Sequence, residues 1–167
     1  MPYHSLNFRA AAEADATGEI PVVLLTITHP DLAEPERLST DPTIRLSTDP
    51  LIYGTRHGGQ DFKFLPMGVQ TPDQVENTSL EGALVIENMH AGLIQALRSV
   101  TTRATVDLAI VLASSPELVE EAYTGFVVTD ASADVGSVEI RLGRDVAPEE
   151  PFPADRMTSD HCPGLRR

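Results

Sequence analysis

Residues 82–113, GALVIENMHAGLIQALRSVTTRATVDLAIVLA, constrain the fold more than any other stretch. They read as strand, helix, strand. Ala83, Leu84, Val85 and Ile86 form a short apolar run. Asn88 comes next, and its side-chain oxygen is suited to accept from a free N–H of a first helical turn. Met89, Leu93, Leu97 and Val100 recur at the spacing of a one-faced helix, which predicts a helix over about 89–100. Arg98 sits near its negative pole. Residues 102–113 are rich in β-branched side chains and end in an apolar run from Leu108, as in a strand buried on both faces at its far end. The helix is expected to lay its stripe on the sheet to which both strands belong.

The flanking segments add strands around this unit. Residues 5–16, SLNFRAAAEADA, predict a short peripheral helix with a Ser cap, ending at Gly18. In IPVVLLTIT, residues 20–28, both alternating sets start apolar, so this strand belongs in a sheet interior or a subunit interface. His29-Pro30-Asp31 ends it. Residues 31–50 are loop-rich, and LSTDP occurs there twice, at 38–42 and 46–50, each Asp-Pro marking a turn. Short strands are expected over 43–47 and 51–53. Gly58-Gly59 supplies the positive φ angles of a tight hairpin, and DFKFL, residues 61–65, alternates as a strand with Phe62 and Phe64 on one face. Residues 66–81 read as a loop. Residues 116–122 read as one helical turn or an acidic loop edge, 123–130 as a strand, 131–136 as a turn, and 137–142 as a strand with Val138, Ile140 and Leu142 on one face. The last two strands are expected to form an antiparallel hairpin at a sheet edge. The organisation expected is a helical arm over 1–18, a β-rich core over 19–145 and an extended Pro-rich tail over 146–167.

Charge and composition exclude several function classes. The chain of 167 residues carries 25 Asp and Glu against 12 Lys and Arg, a net charge of −13. A nucleic-acid binder neutralises phosphates, so this balance opposes sequence-specific DNA or RNA binding, while an acidic wall lets a duplex pass without sticking. No apolar run approaches the ~20 residues that span a bilayer, so no membrane partner is expected. Residues 1–19 lack the basic-then-apolar plan of a signal peptide, which points to synthesis in the cytoplasm. The single cysteine, Cys162, rules out an intrachain disulfide framework and a four-thiolate cluster within one chain. His4, His29, His57, His90 and His161 form no paired ligand motif, and His161 and Cys162 are adjacent, a poor geometry for joint ligation. Ser114-Ser115 is an end-of-strand turn, with Ser115 placed to cap the segment 116–122, and the carboxylates are spread along the chain. No catalytic, cofactor or metal residue is expected, and no enzyme. In the tail, Phe152, Pro153, Met157, Pro163 and Leu165 are the candidate subunit-interface residues, because apolar side chains between prolines call for a surface to cover them.

The order of these segments resembles a known family. An Ala-rich helix leads into LLTITHPDL at 24–32. Arg45 and a Thr-Asp step come within 45–50, then FKFLPM at 62–67, then Ile86-Glu87-Asn88 running into the helix, and finally PFPADRMTSDHCPGL at 151–165. This is similar to small tail-module proteins of tailed phages and prophages, which resemble the lambda-type minor tail protein L among distal tail and hub components. The resemblance covers about residues 5–165 and rests on order more than on any single motif. It implies an antiparallel β-sandwich or split barrel with one flanking helix, in keeping with the mainly β, α+β class read from the residues. It implies a virion structural protein, a homo-oligomeric ring of three or six copies that joins the tail tube to the baseplate hub, lines the DNA channel and meets the tape-measure protein. Some larger hub proteins of this kind carry an iron–sulfur cluster, but a lone Cys162 lacks its ligands. Two alternatives stand beside this reading: a tail assembly factor absent from the finished particle, and a small-molecule-binding β domain.

Overall fold

The computed structural model describes residues 4–71, 81–87, 102–134 and 137–144. Among these residues one helix precedes ten strands: α1 (Leu6–Glu13), β1 (Pro21–Thr28), β2 (Glu36–Ser39), β3 (Ile44–Thr48), β4 (Leu51–His57), β5 (Gln60–Phe64), β6 (Met67–Gln70), β7 (Glu81–Glu87), β8 (Thr105–Leu112), β9 (Ser115–Ala133) and β10 (Ser137–Arg144). Among the described residues the chain is mainly β, as its sequence predicts, and α1 is a short helix. All ten strands belong to one sheet in the order β3-β4-β5-β2-β1-β8-β9-β10-β7-β6. Neighbours pair antiparallel except β2 and β5, which run parallel through Leu38 with Lys63 and Ser39 with Phe64.

Chain connectivity forces this sheet to roll. β5 is third in the order and β6 is tenth. In a flat sheet, seven strand spacings of about 4.8 Å would separate them by about 34 Å. Yet Phe64 ends β5 and Met67 begins β6, and three Cα steps span at most about 11 Å. The sheet therefore curls until its far end meets β5, and Leu65 N donates to Ser39 O at 2.9 Å where the link passes β2. Among the described residues the fold is thus one open, rolled sheet with β3 and β6 as its edges, not two separate sheets packed face to face.

The inside of the roll is the main core. Leu25 and Ile27 of β1, Leu38 of β2, Val106 and Leu108 of β8, Phe126 of β9, Val138, Ile140 and Leu142 of β10, and Leu84 and Ile86 of β7 form one cluster with Ala104. At about 1.5–3 kcal/mol for each large apolar side chain buried, this cluster outweighs any packing from α1, in which no residue is buried. On the outer face, Val22, Leu24 and Val111 meet Phe62 of β5 in a second cluster. β1 is thus apolar on both faces because it is covered on both, and it sits between β2 and β8 as the sequence pattern requires.

Several sequence expectations need correction. Residues 116–122 are neither a helical turn nor a loop edge: they belong to β9, a strand of 19 residues. Pairing with β8 overrides their weak helical propensity, and Ser115 begins that strand instead of capping a helix. The β9–β10 hairpin is antiparallel but interior, since β10 also pairs with β7, and β6 lies beyond it. The supposed loop at 66–81 contains β6, and the one at 31–50 contains β2. α1 stops at Glu13 instead of Gly18, with Ala14 already extended at φ −79° and ψ 139°. The strands of the 82–113 unit do lie in one sheet, as expected, with β9 and β10 between β7 and β8. The expected helix over 89–100, its Asn88 cap and the tail from Val146 lie outside the described residues.

Gly54 is a point of close approach in this arrangement. A Cβ added there would stand 1.9 Å from Phe62 O and 2.8 Å from Leu46 Cδ1. Gly54→Ala is expected to cost about 1–3 kcal/mol through overpacking, read as a lower urea midpoint at an unchanged slope. Gly68 has space, its nearest atom being Val85 O at 4.0 Å, so Gly68→Ala is expected to stay within about 0.5 kcal/mol of wild type.

Candidate functional site

The part of the molecule that departs most from a closed core is the wing formed by β3, β4 and β5. β4 and β5 are joined at Gly58 and Gly59, whose φ angles of 57° and 71° suit a hairpin turn that non-glycine residues enter at a cost. β5 carries Phe62 over the outer cluster. One residue pair beneath the wing is polar and buried: Ser39 Oγ and Thr55 Oγ1 lie 2.8 Å apart, and Asp41 N donates to Ser39 Oγ at 3.1 Å.

β9 grips the tip of the wing. Its register with β8 jumps from Leu112↔Ser115 to Val111↔Val119, so Pro116, Glu117 and Leu118 bulge from the ladder. His57 Nδ1 donates to Pro116 O at 2.6 Å, and Gly58 N donates to Glu117 Oε2 at 2.9 Å. The bulge thus holds the hairpin against the body through two hydrogen bonds, one to its backbone and one to a side chain.

A second peripheral element is pinned by β9 through one carboxylate. Glu120 is buried, with 3% of its surface exposed. It accepts from Ser5 N at 2.7 Å and from Ser5 Oγ. Ser5 Oγ also accepts from Phe8 N at 3.1 Å, which is the N-cap bond of α1. Glu120 therefore satisfies the N–H of the cap residue itself, as a capping-box glutamate does, but from 115 positions along the chain. His4 stacks on Phe8 with ring centroids 4.9 Å apart.

His29 closes the end of β1. Its Nδ1 accepts from Asp31 N at 3.0 Å, which leaves Nε2 to donate to Thr102 Oγ1 at 2.6 Å. This ties the HPD turn to the entry of β8, a structural use for a buried histidine. Beside the wing, a shallow cleft of about 340 Å³ is lined by Glu34, Pro35, Glu36, Arg37, Gly59, Gln60, Asp61 and Lys63. Several of its charges are already paired: Lys63 Nζ lies 3.7 Å from Glu36 Oε2, and Arg56 Nε donates to Asp61 Oδ1 at 2.8 Å. That hydrogen bond, and then the charge of Asp61, push the Arg56 pKa above its usual value, so the guanidinium stays charged across the accessible pH range.

Among the described residues, no group of three or more His, Cys, Asp or Glu side chains is placed to hold a metal ion, and no helix is long and apolar enough to cross a membrane. Of the histidines singled out in the sequence, the structure gives hydrogen-bond partners to His29 and His57, while His90 and His161 lie outside the described residues, as do Cys162 and the candidate interface residues Phe152, Pro153, Met157, Pro163 and Leu165. Sequence reasoning missed Glu120 and the bulge before it. Nothing local marks either, since both depend on partners more than 50 positions away. Comparison with models of known protein families and with curated proteins returns no match.

The Glu120 clamp has a direct test. Glu120→Ala removes both acceptors of Ser5, and leaving such donors unmet costs about 1–3 kcal/mol. α1 is then expected to undock, and trypsin is expected to cut after Arg9 about tenfold faster than in wild type. Unchanged cleavage would show that the helix is held in another way.

Proposed function

We propose that this chain is a structural component of the tail tip of a tailed phage or phage-like particle. In this reading it is a ring-forming distal tail or hub protein of the virion, between tail tube and baseplate hub, lining the channel through which DNA passes. The geometry that supports it best is an apolar surface left uncovered on an otherwise acidic molecule. The wing carries Leu51 and Tyr53 in the open, while the chain as a whole bears −13. A protein packed by neighbours on one side and facing a polyanion on another needs that division. The order of segments from the Ala-rich helix to PFPADRMTSDHCPGL supports the same class. Tube, hub and tape-measure proteins are the partners proposed, with further copies of the chain itself.

Mass spectrometry of purified particles tests the reading. Presence at a copy number that is a multiple of three supports a ring. Absence from the particle overturns it in favour of an assembly factor. Removal of residues 146–167 is expected to weaken assembly while leaving the urea midpoint of the monomer almost unchanged, because Phe152, Met157 and Leu165 sit in a proline-rich sequence beyond the last strand of the roll. Light scattering that finds the same oligomer mass after truncation would remove the tail from the interface.

A further inference from the structure

The wing overhangs the body it covers. On β4, Leu51, Tyr53 and Thr55 alternate onto one face. Thr55 is opposite Phe62, which belongs to the outer cluster. Moving away from that cluster along the same face, Tyr53 is 42% exposed and Leu51 is 60% exposed. Arg45 stands opposite Tyr53 on β3, is exposed, and makes no ion pair among the described residues. Among the described residues, β3 has no neighbour on its other side in the sheet. The inner face of the wing thus runs on past its own core as two apolar side chains and one cation. Tyrosine and arginine are the residue types that anchor protein interfaces.

Charge limits the surfaces that can cover this face. Within residues 36–64, Arg37, Arg45, Arg56 and Lys63 balance Glu36, Asp41, Asp49 and Asp61, so the segment from β2 to β5 is neutral. The whole net charge of −13 lies in the rest of the chain. Two copies that met through their acidic parts would repel, and two wings would bring Arg45 to Arg45. The arrangement that avoids like-charge repulsion, and gives Arg45 carboxylates to meet, is wing to acidic body. The body offers a matching surface on the β9 bulge, where Leu118 is 49% exposed and Val119 is 39% exposed, with two carboxylates near them in sequence: Glu117, which also accepts from Gly58 N, and Glu121, which also accepts from Tyr123 OH.

We propose that copies of this chain associate head to tail, with the Arg45–Tyr53–Leu51 face of one wing seated on the Leu118–Val119 ridge of the next copy. The inference rests on the ring reading above and names the two surfaces that make the ring. Such a contact is heterologous: an open assembly always keeps one free wing at one end and one free ridge at the other, so association continues until the ring closes.

Two variants and their mixture test this by size-exclusion chromatography with light scattering, with circular dichroism and urea midpoints confirming that each is folded. Arg45→Glu with Tyr53→Ser disables the wing and leaves the ridge. Leu118→Lys with Val119→Lys disables the ridge and leaves the wing. Wild type is expected to form a trimer or hexamer. Each variant alone is expected to be monomeric at tenfold the concentration at which wild type is assembled, and an equal mixture of the two is expected to stop at a dimer. A wild type that stays monomeric at every concentration overturns the proposal. So does a ridge variant that assembles as wild type does, which would make the wing contact isologous. Assembly untouched by either variant overturns these surfaces without touching the tail-tip reading. That reading falls separately, if the protein is absent from particles.

Discussion

A link of two residues governs this fold. Leu65 and Pro66 join strands that stand seven places apart in the sheet order. No flat or gently twisted sheet satisfies that connection, because chain reach is short by about a factor of three. Rolling is therefore imposed by covalent geometry, and the apolar residues of β1, β2, β7, β8, β9 and β10 are placed to profit from it. Inward positions on six strands converge into one cluster. The same roll leaves β3, β4 and β5 outside, where Phe62 caps the outer face of β1 and β8. Core and wing are two results of one constraint.

β9 is the spine on which the peripheral pieces hang. Its length of 19 residues is well beyond the usual strand of about 5–6, and the ladder is not regular along it. Near its start the bulge at Pro116 to Leu118 takes the tip of the wing, and Glu120 takes the N-terminus of α1. Further on, Gly125 adopts φ 74° and donates its N–H to Asp107 Oδ1 at 2.8 Å, where the register with β8 slips again. Each interruption gives up ladder hydrogen bonds and gains a connection to another part of the chain. A buried carboxylate such as Glu120 is costly unless its oxygens are met, and Ser5 meets them. The sequence therefore places one Glu inside a hairpin to hold a helix with no fully buried residue of its own.

Much of this was legible from the residues, and the failures share a cause. Period-two alternation located β5 and β10 and put Val138, Ile140 and Leu142 on the buried face, while a run apolar on both faces located β1. Gly58-Gly59 announced the hairpin turn, and Ser5 announced a cap. β2 and β6 were hidden because each has only four residues, too few for alternation to stand out among prolines and glycines. The first half of β9 was hidden because Glu117, Glu120 and Glu121 give it the look of a helix or loop, and only pairing with β8 makes it a strand. The rolled order was not legible at all, since it depends on which strands pair at long range. The exposed face of the wing was equally silent: Leu51 and Tyr53 have the pattern of buried strand residues, and only the position of the body decides that they overhang it.

The placement of β10 has a consequence for how the protein is made. β10 lies between β9 and β7, yet β7 is synthesised about 50 residues earlier. Until β10 leaves the ribosome, β7 has no strand on its second edge, and Leu84 and Ile86 lack Ile140 and Val138 opposite them. At elongation rates of about 5–20 residues per second, that interval lasts roughly 3–10 s. During it the nascent chain shows an apolar strand with both a free edge and a free face, the form most open to wrong pairing. β10 therefore acts as the closing key of the roll: the growing chain, or a holding chaperone, has to shelter one ribbon until the strand that covers its edge arrives.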